Sequence, residues 1–135
     1  FFYMSKEFLF EVKVYYEDTD SGGVVYYANY LKFLERARTE IITSIGLNNK
    51  KLLNKYGVLI IVKSCNIEYK KSAELEDILK ISSKVISSTR TSFVMRQIIF
   101  KQSDIISEAE VRLVCVNLKG KPVQIPDAIN GLIKS

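Results

Sequence analysis

The sequence predicts an α+β fold, in which an antiparallel five-stranded sheet wraps round one long central helix. Three observations carry this. Tyr30 to Ile45 has the apolar period of a helix and contains no proline. Four extended segments follow Gly57, and the last three are joined by links short enough for hairpins. A further alternating segment precedes the helix. Consecutive hairpins make a sheet antiparallel, and one apolar helix must bury itself against its face.

The elements follow in order. Phe8, Phe10, Val12, Val14 and Tyr16 share one face of an extended segment, and Leu9, Glu11, Lys13 and Tyr15 share the other. That is a half-buried strand. Thr19 to Gly23 is a turn, because small and acidic residues with two glycines do not continue a strand. Val24 to Tyr27 reads either as a short extended piece or as the lead-in to the helix, with Asn29 as a candidate cap. Tyr30, Leu34, Ala37, Ile41 and Ile45 form the helix's apolar stripe, widened by Leu31, Phe33 and Ile42. Glu35 and Glu40 alternate with Arg36 and Arg38, a spacing that predicts ion pairs between turns. Gly46 terminates the helix.

Asn48 to Tyr56 is a short polar helix ended by Gly57. Val58 to Tyr69 is one long strand, or two with a break near Lys63 and Ser64. Lys70 to Asp77 is a charged connection, followed by strands over Ile78 to Ser88, Thr91 to Gln102 and Ile105 to Asn117. Lys119 to Pro122 forms a turn, and Pro126 to Ile133 a short helical tail. Ile86, Val94, Ile98 and Phe100 interrupt the polar pattern, which predicts an oligomer that covers an edge or a face.

Length and composition fit a single domain over residues 1–135: 135 residues, 47% hydrophobic and 26% charged. Phe1, Phe2 and Tyr3 precede Met4; Met4 is the expected native start, the three before it an added or extended terminus. Val58 to Val62, the longest aliphatic run, is too short to cross a bilayer, and two cysteines that demand no disulfide make a reducing cytoplasm the expected location. The net charge of +5 reads as dispersed, solvated lysines, with no nucleic-acid-binding motif. Cys65 and Cys115 lie in apolar runs and read as small buried core residues. The chain contains 0 histidines. That excludes Ser-His-Asp and Cys-His nucleophilic machinery, and two separated cysteines do not build a zinc site. No cofactor or metal is expected. Acid–base chemistry falls to carboxylates, tyrosines and lysines.

A carboxylate on a loop before a long helix is a chemical arrangement in its own right. The helix start carries unpaired N–H groups and partial positive charge, which stabilise an anion or a developing oxyanion. Here that stretch is Tyr16-Glu17-Asp18-Thr19-Asp20-Ser21-Gly22-Gly23-Val24-Val25-Tyr26-Tyr27-Ala28-Asn29-Tyr30, followed by Glu35-Arg36-Ala37-Arg38-Thr39-Glu40. On the turn alone, Asp20 reads as a turn residue, Asp18 and Glu17 as solvated, and Gly22 and Gly23 as turn formers.

The full stretch closely resembles the signature of hotdog-fold acyl-CoA thioesterases of the YbgC type, associated with the Tol–Pal system. The 4-hydroxybenzoyl-CoA thioesterases are more distant relatives. The resemblance implies the hotdog fold and hydrolysis of an acyl-CoA to a free acid and coenzyme A. It puts the essential carboxylate on Asp20, acting as general base or as a nucleophile. It puts the oxyanion-binding amide on Tyr27, and Tyr16 matches a tyrosine of the catalytic group. Gly23, Val24, Thr91 and Ser92 are the matching candidates for substrate binding. One position departs: YbgC-type enzymes carry a histidine where this chain has Tyr27, whereas the 4-hydroxybenzoyl-type relatives have tyrosine there and use its main chain. The implied partners are the acyl-CoA substrate, an acyl carrier protein, and further copies of the chain in a homodimer or homotetramer, the site lying between subunits. A peripheral location at the inner face of a bacterial inner membrane is also implied. Arg90, Lys119 and Lys121 read as solvated turn charges rather than coenzyme A phosphate ligands. The alternative function is a non-catalytic acyl-CoA- or acyl-carrier-protein-binding module. A hotdog dehydratase is disfavoured, since that chemistry leans on a histidine.

Overall fold

The computed structural model describes residues 6–134, so the expectation about Phe1 to Met4 lies outside it. Strand β1 (Phe8–Lys13) leads through a single 3-10 turn, Tyr16–Asp18, to helix α1 (Asn29–Thr43) and helix α2 (Asn49–Tyr56). Strands β2 (Leu59–Tyr69), β3 (Ile78–Ser88), β4 (Ser92–Lys101) and β5 (Asp104–Val116) follow, then helix α3 (Asp127–Ile133). The five strands form one sheet in the order β1-β3-β4-β5-β2, every neighbouring pair antiparallel. The α+β architecture read from the sequence is therefore observed.

Helix α1 buries Tyr30, Phe33, Leu34, Ala37, Ile41 and Ile42. They meet the inward side chains of the sheet, among them Leu79, Ile81, Met95, Ile99, Val111 and Leu113. Leu31 is exposed and Ile45 only half-buried, so the stripe is narrower than its apolar residues suggest. Among the described residues no carboxylate and guanidinium of this helix stand within 4.0 Å of one another, although burial lowers the Arg38 pKa and the Glu35 charge acts to raise it. Glu35 instead accepts from the Thr39 hydroxyl at 3.2 Å, and Arg38 Nη1 donates to Gln97 Oε1 at 2.9 Å. Fully buried Gln97 also donates through Nε2 to the Leu34 carbonyl at 3.1 Å and to Ser83 Oγ at 2.9 Å. A polar knot thus ties α1 to β3 and β4.

Two boundaries differ from the sequence reading for local reasons. β1 ends at Lys13, because Asp18 Oδ2 accepts the Tyr15 N–H at 2.9 Å and winds the chain into the 3-10 turn. The alternation consequently breaks at Tyr16, which is 79% exposed. β2 is one strand with a register shift between Val62 and Ser64, a bulge at the suspected break. Short helix α2 has the expected ends: Asn48 Oδ1 accepts from the Lys51 N–H at 2.7 Å, and Gly57 takes φ +66.

Candidate active site

The acidic turn is a small hairpin stitched to the connection between β2 and β3. Thr19 bridges Val25 and Val24 bridges Glu74. The Val25 N–H donates to the Ala73 carbonyl at 2.8 Å. Gly23 takes φ +80, a left-handed backbone that closes the hairpin without side-chain strain. At its tip the Asp20 N–H donates to the Val24 carbonyl at 2.9 Å, and the Asp20 carbonyl accepts from the Gly23 N–H at 3.1 Å. One carboxylate oxygen of Asp20, Oδ1, accepts the Gly22 N–H at 2.8 Å. A Cβ at position 22 would stand 3.3 Å from that oxygen, so glycine leaves the carboxylate room. Asp20 itself is exposed.

The start of α1 has an unusual hydrogen-bond pattern. Asn29, Tyr30 and Leu31 donate their N–H groups backwards to the Tyr26, Tyr27 and Ala28 carbonyls, at 2.8, 3.3 and 3.3 Å. No side chain caps the helix. Among the described residues, the Tyr27 and Ala28 amides donate to no protein acceptor. Asn29 is the first helical residue rather than the cap. Its carboxamide turns back, and Nδ2 donates to the Asp18 carbonyl at 2.9 Å. The same carbonyl accepts the Tyr26 N–H at 3.0 Å. Contrary to the solvated reading, Asp18 is only 6% exposed, whereas Glu17 is exposed. Nothing in its local sequence distinguishes it from its acidic neighbours, because its burial depends on the helix start folding over it.

Aromatic rings surround this helix start. Tyr27 packs against Tyr26 with centroids 4.9 Å apart, and edge-on to Tyr69 at 6.0 Å. Tyr69, at the end of β2, also meets Tyr30 at 5.7 Å. Tyr30 Oη accepts the Ala73 N–H at 3.0 Å, and burial raises its pKa. A side-chain hydrogen bond with Tyr27 holds the Tyr26 phenol above its ordinary value. Tyr69 stood outside the motif, and only the sheet brings it here. The Tyr16 ring projects to solvent; its carbonyl accepts from Thr19 N and Oγ1 at 3.1 and 2.9 Å.

The structure gathers Asp20, Gly23, Val24 and Tyr27 at one end of the sheet and leaves Thr91 and Ser92 at the other. The Asp20 hairpin adjoins the ends of β1 and β3 marked by the pair Lys13 and Ile78. Ser92 pairs with Val114 near the far end of β3. An 11-residue strand separates the two ends, roughly 30 Å at about 3.3 Å per residue. Ser92 is buried, its hydroxyl 2.8 Å from Thr89 Oγ1. Beneath the second half of α1, at this far end, lies a cavity of about 160 Å³. Ile42, Val62, Phe93, Met95 and Ile133 line it, with Arg38 among its polar residues.

The cysteines part company. Cys115 is fully buried, and burial pushes its thiol up to about 11, as an inert core residue requires. Cys65 is exposed, against expectation, because β2 is an edge strand whose inner side α1 does not fully cover. Among the described residues, no group of three or more histidine, cysteine, aspartate or glutamate side chains is placed to hold a metal, and no helix is long and apolar enough to cross a membrane.

The chain matches the family model of the Thioesterase-like superfamily over residues 14–132. It is 42% identical over 124 residues to the acyl-CoA thioester hydrolase YbgC of Escherichia coli O6:H1, covering 90% of this chain and 92% of that one. It is 39% identical over 123 residues to the acyl-CoA thioesterase YbgC of Haemophilus influenzae, with 90% of each chain covered. A crystal structure of a probable thioesterase from Bartonella henselae matches with a TM-score of 0.84 at 31% identity, covering 90% of this chain and 100% of that one.

Proposed function

The chain belongs to the thioesterase-like superfamily and has its hotdog fold, and from that premise we propose that this enzyme hydrolyses acyl-CoA thioesters with Asp20 as its carboxylate and the Tyr27 amide as its oxyanion donor. The observation that carries the reading is the pair of unpartnered amides, Tyr27 and Ala28, at an uncapped helix start beside the Asp20 hairpin. Attack on a thioester carbonyl turns its oxygen into an oxyanion. Fixed N–H donors in a helix field stabilise that charge without reorganising. Asp20 either takes a proton from the attacking water or attacks directly, forming a mixed anhydride that water then opens. Either route releases the coenzyme A thiol and a free acid. Use of the Tyr27 main chain makes the missing histidine no obstacle.

The separation of Asp20 from Thr91 and Ser92 supports a site shared between two copies. β2 lies at a sheet edge and exposes Ile61, Val62 and Tyr69. Antiparallel pairing of two β2 edges about a two-fold axis sets the Leu59 end of one against the Tyr69 end of the other. Ser92 lies at the Leu59 end, through Val114 and Ile61. The partner's Thr91 and Ser92, and the apolar cavity beside its Val62, then approach the first copy's Tyr27.

The test is thiol release from a panel of aliphatic and aromatic acyl-CoAs. Native protein turns over at least one substrate, and Asp20→Asn lowers kcat about 10²- to 10⁴-fold. Background rates for both proteins across the panel refute the hydrolytic reading. Tight acyl-CoA binding without turnover favours the non-catalytic module.

A further inference from the structure

We propose that Asn29 is a positioning residue, whose carboxamide, acting through the Asp18 carbonyl, sets the Asp20 carboxylate against the helix-start amides. The proposal rests on the hydrolytic reading above and assigns a role to a side chain outside the acid and the oxyanion donor.

The geometry is that of a pivot. A single oxygen, the Asp18 carbonyl, receives Asn29 Nδ2 at 2.9 Å and the Tyr26 N–H at 3.0 Å. On the acceptor's side, Asp20 follows two residues later. On the donor's side, the Tyr27 amide follows the Tyr26 amide by one peptide unit. The two halves of the site are thus hinged on one acceptor. Asp18 is in turn fixed by its carboxylate, which holds the Tyr15 N–H, and by its own N–H, which donates to the Tyr15 carbonyl at 2.9 Å. Asp18 and Asn29 are both at least nine-tenths buried, so water does not compete strongly for these bonds.

The direction of the Asn29 side chain matters as much as its partner. An asparagine at a helix start ordinarily offers its oxygen to the first free amides. Asn29 points its donor back at the loop instead, and Ala28 before it has no oxygen to offer. A cap at either position would reach amides from Tyr30 onward and not those of Tyr27 and Ala28, so what the reversed carboxamide adds is its tether to the Asp18 carbonyl. Misplacing a reacting group by about 1 Å costs on the order of 10²-fold in rate, so a lost tether at the pivot registers in turnover.

The test compares native protein with Asn29→Asp, which keeps the shape and deletes the donor, and with Asn29→Ser, whose hydroxyl is too short to reach. Each is combined with Asp20→Asn in a double-mutant cycle. Folding is followed by circular dichroism, and kcat and KM are measured on whichever acyl-CoA the native protein hydrolyses. The expected result is a fall in kcat of about 10- to 100-fold for at least one folded variant. KM stays within about twofold, and the loss largely disappears in the Asp20→Asn background, since a pivot has nothing left to position there. Folded variants with native kcat overturn the proposal. An equal loss in both backgrounds overturns it as well, since it marks a merely structural residue, and so does failure of both variants to fold. Absence of turnover in the native protein sinks the hydrolytic reading itself, and is thereby distinguishable from failure of this inference alone.

Discussion

Single residues decide how the core stays specific. Gln97 is the clearest case, since it is fully buried and its carboxamide serves Leu34, Ser83 and Arg38 together. Gln97→Leu keeps the approximate volume but strips partners from a buried hydroxyl and from a half-buried guanidinium whose pKa burial lowers. Urea unfolding is expected to show a loss of about 1–3 kcal/mol, and an unchanged midpoint would show the knot to be energetically idle. At this scale the sequence was legible for Asp20, Gly22 and Gly23, whose turn chemistry is local. It misled on Asp18, which reads as solvated, and on Asn29, which reads as a cap, and it was mute on Gln97. Their roles depend on main-chain acceptors or on side chains that only the folded sheet brings near. Cys65 was misread because an apolar neighbourhood in the chain does not reveal that its strand lies at an edge.

Among the elements, helices and strands were read correctly wherever period and termini agreed. Helix α2 illustrates the terminus: Gly57 ends it with φ +66, and open space surrounds the position where a Cβ would stand. Gly57→Ala therefore meets no clash, and its cost is conformational, about 1 kcal/mol by thermal or urea unfolding. A neutral outcome would show that the turn relaxes. β1 shows the opposite case. Its alternation continues through Tyr16, yet the strand ends at Lys13, three residues earlier, where a carboxylate–amide bond at Asp18 bends the chain. Local hydrogen bonding can override a period of two, and it did so at the loop that leads to Asp20.

On the scale of the whole molecule, the sheet leaves an apolar edge at β2 and a charged outer face. Arg96, Glu108 and Lys70 form ion pairs across that face, with charged Glu110 and Arg112 beside them. A dimer through the edge is expected rather than a tetramer stacked face to face, with light scattering giving twice the chain mass. Val62→Asp, at a position 49% exposed in the isolated chain, is expected to shift the protein towards monomer and to lower thiol release in parallel. Full activity in a proven monomer would refute the shared site. The strand order also has a temporal meaning. Strands β3, β4 and β5 join neighbours in the chain by short hairpins, whereas β1 and β2 pair with strands that lie 65–75 and 38–57 residues away. Short loops close at lower entropic cost and sooner than long ones. The central meander therefore forms a template first, and α1 with the Asp20 hairpin is laid onto it afterwards. The stretch that holds Asp20 precedes β3, β4 and β5 in the chain, so it waits for the strands that fix it and is among the last parts to become native.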